Sequence, residues 1–277
     1  MTDAHWSAWL TDATSGAKAE HPANGHSNGN GHNGNGRAPA APGPQTDADT
    51  PGEPLHVLAV GAHPDDIELG CAGALAEHRA RGHRIGMLVM SQGESGPQHS
   101  ASRASEQRDA AEILGADLYW GGFDDAAIPD SRGVVDVIQD VMAVARPDVI
   151  YTHTPRDSHQ DHRAVAHATL AAARRSSRVL HYEAPSSLHF VPALYVDIRD
   201  SLEIKLSALR AHVSQVLRNG LVDLEAIEAQ ARYRGFQARI RLAEAFEVER
   251  FVWDIGRGAE PRTSGRARSQ AFLEEVR

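Results

Sequence analysis

The sequence predicts an α/β domain in which a parallel sheet carries helices on both faces. Three observations carry that prediction. Apolar runs of strand length recur along the chain, as in "LHVLAV", "RIGMLVM" and "DVIYTH". The segments between them space their apolar residues as an amphipathic helix does, and two of them close at Gly82 and Gly115. Polar loops follow the strands. Repeated strand-loop-helix units need crossover connections, and those connections make neighbouring strands parallel.

Taken in order, Leu55 to Val60 is the first strand, and Ile67, Cys71, Ala74, Leu75 and His78 mark the apolar face of the first helix. Residues 84–90 form the next strand, "SQGESGPQHSAS" a polar loop, and "RASEQRDAAEILG" a helix. "DLYW" is a short strand, "VVDVIQDVMAVA" a helix, and "DVIYTH" a buried strand that feeds the loop "TPRDSHQD" and the helix "HRAVAHATLAAARR". Beyond residue 178, "RVLHYEA" and "ALYVDI" read as strands, and "SLEIKLSALRAHVSQV" and "LEAIEAQARYRGFQARIRLAEAFEVERF" as helices. The order is Rossmann-like and forms a single domain over residues 55–255. Residues 1–54 are rich in Gly, Asn and Pro and bury too little to offset the entropy of ordering, so they read as a flexible tail. Its His21, His26 and His32 sit in linker-like sequence that orders ligands poorly. Residues 256–277 read as a loose C-terminal segment.

Composition removes several classes of function. A formal net charge of −9 over 277 residues argues against nucleic acid as a partner. The one cysteine, Cys71, excludes an intramolecular disulfide and lies on the apolar face of the first helix, where it packs as a small core residue. No run approaches the roughly 20 apolar residues of a membrane span. The opening "MTDAHWSAWLTDATSG" lacks the basic start and apolar centre of a signal peptide, so the expected location is the cytoplasm and no membrane partner is expected.

Chemistry concentrates after two strands. Sites in open parallel sheets form beyond the carboxyl ends of strands. There the chain places "HPDD" after the first strand and "HTPRDSHQDH" after "DVIYT", and the second loop supplies His153, Asp157, His159, Asp161 and His162. No G-x-G-x-x-G or G-x-x-x-x-G-K-[ST] follows any strand, which removes the support for dinucleotide or P-loop binding. Capping accounts for either loop alone, with Asp65, Asp157 or Ser158 as the cap. It explains neither the adjacent Asp65 and Asp66 nor two histidines one helical turn apart at another strand end. Two histidines and a carboxylate suit a catalytic zinc, and suit ferrous iron as well. The spare carboxylates and histidines can serve as general base and oxyanion stabiliser. Trp120 and Phe123 beside "GGFDD" read as packing residues.

"AHPDDIELGCAGALA" followed by "HTPRDSHQDHRAVAHAT" resembles the LmbE-like, or PIG-L, family of metal-dependent N-deacetylases over roughly residues 55 to 253. "GESG", "RASEQRDAAEILGA" and "KLSALRAHVSQ" also look like family segments, while Ile67 separates Asp66 from Glu68 where some members have glutamate directly. The resemblance implies that His63, Asp66 and His162 hold the metal and that Asp65 is the general base. It further implies that His159 stabilises the oxyanion with Asp161 orienting it, and that Arg103 and His212 face substrate. The implied activity is zinc-dependent removal of an N-acetyl group from a glucosamine-type sugar in a small conjugate, such as a thiol precursor or a natural-product intermediate. An acetylated amino sugar is then the partner. The alternatives are an amidase that cuts a larger amide in a thiol conjugate, and a metal-dependent binding module without turnover. Asp65 and His159 argue against the last, because binding alone needs neither.

Overall fold

The computed structural model describes residues 54–95, 100–218 and 222–253. The expected N-terminal tail up to Glu53 and the C-terminal segment from Asp254 lie outside the described residues. Five strands, β1 (His56–Gly61), β2 (Arg84–Val89), β3 (Asp117–Trp120), β4 (Val149–His153) and β5 (Arg178–Tyr182), run parallel, with β1 at the centre between β2 and β4. The helices between them are α1 (Asp66–Ala80), α2 (Ser100–Leu114), α3 (Arg132–Ala145) and α4 (Gln160–Ala172). Then follow β6 (Leu194–Asp197), α5 (Leu202–Ala211), a π-helical turn at Ser214–Arg218, α6 (Leu224–Ala238) and β7 (Ala243–Phe251).

The sheet has seven strands in the order β3-β2-β1-β4-β5-β7-β6. It is mixed rather than wholly parallel, because β7 pairs antiparallel with both β5 and β6. The chain builds outward from β1 to β3 and then crosses back to β4 on the other side, so the switch point of the topology lies between β1 and β4. The expected long helix over residues 224–251 is a helix followed by a strand. Arg239 takes left-handed backbone (φ 63°) and ends α6, and pairing with two strands fixes the rest as β7.

Alternation along β1 divides the core. Val57 and Ala59 pack with Ile67, Leu75, Met87 and Leu114, which puts α1 and α2 on one face. Leu58 and Val60 pack with Val134, Ile138 and Val165, which puts α3 and α4 on the other. Cys71 is wholly buried in α1 as expected, and burial pushes its thiol upward. Trp120 and Phe123 pack at the margins of the two clusters. Gly70 lets α1 lie close on the sheet, since a Cβ there would meet the Tyr182 ring at 2.2 Å. The Tyr182 hydroxyl in turn donates to the Val60 carbonyl at 2.9 Å and ties β5 to β1 next to the loop that begins the site. Among the described residues no helix is long and apolar enough to cross a membrane.

Candidate active site

The loops after β1 and β4 meet at the switch point of the sheet, the place where open parallel sheets bind their ligands. The first loop turns sharply. Asp65 has φ 97°, a left-handed conformation that costs a non-glycine residue about 1–3 kcal/mol and persists only when its surroundings hold it. Arg103 Nη2 donates to the Pro64 carbonyl at 2.8 Å, and the Asp65 N–H donates to Gln107 Oε1 at 3.2 Å. Asp66 opens α1, and its Oδ2 accepts from the N–H groups of Ala62 at 3.1 Å and His63 at 2.7 Å. One carboxylate therefore fixes the backbone of the loop that carries His63.

The second loop is organised by Asp157, whose Oδ1 accepts from the His159 N–H at 2.8 Å. His159 is itself the N-cap of α4, with Nδ1 accepting from the Asp161 N–H at 3.2 Å. One turn later His162 stacks on His159, ring centroids 4.5 Å apart, and on its other face stacks against His153 at 4.0 Å.

Asp66 is the hub of both loops. Its Oδ2 lies 3.3 Å from His63 Nδ1 and 3.2 Å from His153 Nε2, and its Oδ1 lies 3.3 Å from His162 Nε2. Three groups of potential ligand atoms fall within 4.8 Å of one another among the described residues: His63 with His159 and His162, Asp66 with His153 and His162, and His63 with Asp125 and Asp161. The expected set of His63, Asp66 and His162 is not one of these compact groups. It is assembled pairwise through Asp66.

The second nitrogen of each expected ligand histidine faces a carboxylate. His63 Nε2 lies 3.0 Å from Asp125 Oδ1 and 3.1 Å from Asp161 Oδ2. His162 Nδ1 lies 3.3 Å from Asp157 Oδ2 and 3.2 Å from Ser186 Oγ. Metal-ligating histidines are held in this way, with the outer carboxylate fixing tautomer and ring orientation. The Asp161 carboxylate thus serves His63 and, through the Ile128 N–H at 3.3 Å, the backbone. Only its backbone N–H reaches His159, whereas the expectation was that its carboxylate orients that ring.

The surrounding carboxylates set the ionisation of the histidines. Burial lowers the His63 pKa, but hydrogen bonds to Asp125, Asp161 and Asp66 outweigh it and push it up to about 12. Burial likewise opposes His162, and the charges of Asp66 and Asp157 carry it to about 9. For Asp157, burial raises the carboxyl, yet hydrogen bonds from His162 and the His159 backbone bring it down to about 2. The hydrogen bond to His63 holds Asp125 low despite partial burial. His153 falls to about 4 through burial and the nearby His162, and His159 is lowered by burial, His162 and His63. Two imidazoles are thus made cationic by surrounding carboxylates, which a divalent cation would neutralise with the rings in their neutral, ligating form.

The remaining expected residues lie near Asp65 and Glu68. Arg103 is nearly buried, its Nη2 3.7 Å from Asp65 Oδ2. His212 is wholly buried, with Nε2 3.5 Å from Glu68 Oε1, so its ring meets Glu68, where a substrate contact was expected. Asp125, Gln107 and Ser186 were not singled out from the sequence. The signal for Asp125 was its place in "GGFDD", just beyond the carboxyl end of β3; nothing local marks the other two.

A family model described as PIG-L, GlcNAc-PI de-N-acetylase, matches residues 58–173. The chain is 36% identical over 167 residues to an Escherichia coli K12 protein named uncharacterized deacetylase YaiS, covering 57% of this chain and 90% of that one. It is 30% identical over 186 residues to the diacetylchitobiose deacetylase of Thermococcus kodakarensis, covering 57% and 69%. A crystal structure of a conserved protein from Thermus thermophilus superposes with a TM-score of 0.65 at 29% identity, covering 74% of this chain and 100% of that one.

Proposed function

The chain belongs to the PIG-L family, and from that membership we propose that it is a metal-dependent N-deacetylase acting on the N-acetyl group of a glucosamine-type sugar in a small conjugate. The activity is assigned to the domain of residues 55–255. The observation that supports this reading most is the divergence of two adjacent buried carboxylates. Burial raises both. For Asp65 the charge of Asp66 adds to burial and outweighs His212 and Arg103, taking it up to about 7. For Asp66 the charges of His162 and His153 overcome burial and hold it well below the usual carboxylate range. Neighbouring carboxyls whose acidities are driven apart serve different tasks, one as proton carrier and one as permanent anion.

We assign the cation, zinc or ferrous iron, to His63, Asp66 and His162, a donor set that suits either ion. When bound, it would polarise the acetamido carbonyl and make a water more acidic. Asp65 accepts the proton of the attacking water and returns it to the departing nitrogen, leaving acetate and a free amine. His159 keeps Nε2–H free, because Nδ1 is occupied by the Asp161 N–H, and its lowered pKa keeps the ring neutral. It can therefore donate to the developing oxyanion without first gaining a proton. Arg103 stays within reach of the reacting groups through Asp65, while His212 supports Glu68.

Acetate release from N,N'-diacetylchitobiose and from N-acetylglucosamine conjugates, with and without chelator, tests the reading. Release that stops on chelation and returns with zinc is expected. No acetate from any of these amides with the metal-loaded protein would overturn it.

A further inference from the structure

A base must aim its carboxylate, and Asp65 does so from a backbone conformation that its own chemistry disfavours. The peptide joining Pro64 to Asp65 is gripped at both ends by one helix. Its carbonyl accepts from Arg103 Nη2 at 2.8 Å, and its N–H donates to Gln107 Oε1 at 3.2 Å. Arg103 and Gln107 are four residues apart in α2 and therefore share a face. Turning the peptide plane would change φ at Asp65 and break both bonds together.

The amide of Gln107 is in turn held the right way round. An N–H can only donate, so Asp65 needs the amide oxygen, and a carboxylate oxygen accepts, so Glu68 needs the amide nitrogen. Gln107 Nε2 donates to Glu68 Oε1 at 2.6 Å, and His212 Nε2 lies 3.5 Å from the same oxygen. Gln107, Glu68 and His212 are all wholly buried, so no solvent replaces a lost partner. α2 is itself fixed beyond the site, where Glu106 accepts from the Ser214 N–H at 2.9 Å and from its hydroxyl at 2.6 Å.

We propose that Gln107 is a positioning residue for the base, setting the Pro64–Asp65 peptide jointly with Arg103, and that Glu68 fixes the orientation of the Gln107 amide. The catalytic part of this proposal rests on the deacetylase reading; the structural part does not. Gln107 is wholly buried, and among the described residues its side chain hydrogen-bonds to Asp65 and Glu68 and to none of the proposed metal ligands. Its effect is to pass through the direction in which Asp65 points.

The test uses the whole chain as purified and zinc-loaded, with two variants. Gln107→Leu keeps the bulk and removes both the acceptor for the Asp65 N–H and the donor to Glu68. The pair Gln107→Glu/Glu68→Gln exchanges carboxylate and amide: position 107 still accepts from the Asp65 N–H, and the hydrogen bond between positions 107 and 68 is kept with its direction reversed. In Gln107→Leu, which removes the two buried hydrogen bonds to Asp65 and Glu68, kcat should fall by about tenfold or more, with KM within about twofold and zinc content unchanged. Hydrogen exchange at the Asp65 amide should quicken by about tenfold or more, while amides in the middle of α1 keep their rates. The exchanged pair should bring kcat back to within about threefold and restore protection at Asp65. Unchanged kcat and unchanged protection in a folded Gln107→Leu protein would overturn the proposal. So would loss of zinc in step with kcat, or a folded exchanged pair that recovers neither. If the wild-type protein releases no acetate, the deacetylase reading fails, and the exchange measurement alone decides whether Gln107 holds the Asp65 backbone.

Discussion

Two buried polar clusters meet α1, and they are built in opposite ways. Midway along the helix, Glu244 from β7 accepts from the N–H groups of Gly73 at 2.9 Å and Ala74 at 2.7 Å. Lys205 from α5 donates to the Leu69 carbonyl at 2.7 Å and to Glu244 at 2.5 Å. One cation meets one anion, and neither leaves a buried atom without a partner. At the first turn, by contrast, Asp65 stands beside Asp66, and among the described residues Glu68 Oε2, His153 Nδ1 and both His212 ring nitrogens lack hydrogen-bond partners. A balanced buried pair helps to hold a fold. An unbalanced cluster is held by the fold, and its groups are kept in ionisation states that chemistry can use.

The largest expected effect separates the two clusters by rate. Asp65→Asn should lower turnover by roughly a hundred- to ten-thousand-fold, the range for a lost general base, while zinc content stays the same. Lys205→Met should leave the turnover of each folded, zinc-loaded molecule unchanged. Asp65 works ionised, and its pKa is raised to about 7, so wild-type activity should fall as the pH drops through that region. The residual rate of Asp65→Asn should lack this acid limb. Steady-state kinetics beside metal analysis decides, and comparable rate losses in the two variants would dissolve the distinction.

Stability should sort the clusters the other way. Lys205→Met leaves the Glu244 charge buried alone and should cost about 3–5 kcal/mol in urea unfolding. Lys205→Met/Glu244→Gln should recover only part of it: the buried charge is gone, but Gly73 and Ala74 donate to separate Glu244 oxygens and the single amide oxygen serves just one of them. Asp65→Asn should do the reverse in zinc-free protein. The folded state raises this carboxyl from its ordinary value of 3.8, so its ionisation destabilises the fold progressively as pH climbs from about 4 to about 7. The variant should match wild type below pH 4 and exceed it at pH 8. A variant that is less stable at pH 8 would show that Asp65 sits in a balanced network after all.

A smaller effect probes the outer carboxylates. Asp157→Asn and Asp161→Asn should each weaken zinc about 10- to 100-fold in a chelator competition, by loosening His162 and His63 respectively. Turnover at saturating zinc should change less than affinity. Asp136→Asn, which breaks an exposed pair with Arg132, should alter neither.

The parallel half of the sheet was legible because its strands are apolar runs, the first four each followed by polar residues and a helical pattern, and two of those patterns end at glycine, Gly82 and Gly115. β7 was not. "ARIRLAEAFEVER" continues the helix-forming composition of α6, and only the turn at Arg239 and pairing with β5 and β6 make it a strand. At the site, Asp65, Asp66, His159 and His162 could be read because each motif is local and falls at a strand end. Asp125 and Gln107 could not, since they reach His63 and Asp65 across 62 and 42 residues of chain. That proximity is created by sheet order and by the packing of α2. The buried position of His212 was hidden for the same reason: a histidine's neighbours across a core leave no mark in the residues beside it.

The smallest expected effect belongs to Ser186, and it sharpens the claim that charge rather than contact holds the site. Ser186 Oγ and Asp157 Oδ2 approach the same nitrogen of His162, at 3.2 and 3.3 Å. On distance alone they are equal. They differ in charge, because Asp157 is kept ionised, with its pKa brought down to about 2, and a charge-assisted hydrogen bond is roughly twice as strong as a neutral one. The nitrogen facing the proposed cation is Nε2, so Nδ1 must carry the proton and donate it to the better acceptor. Ser186→Ala removes the hydroxyl and leaves that acceptor in place. Zinc affinity should therefore fall by no more than about threefold, against the 10- to 100-fold expected for Asp157→Asn. A tenfold loss in Ser186→Ala would mean that the hydroxyl sets the tautomer of His162 and that Asp157 chiefly holds the His159 backbone.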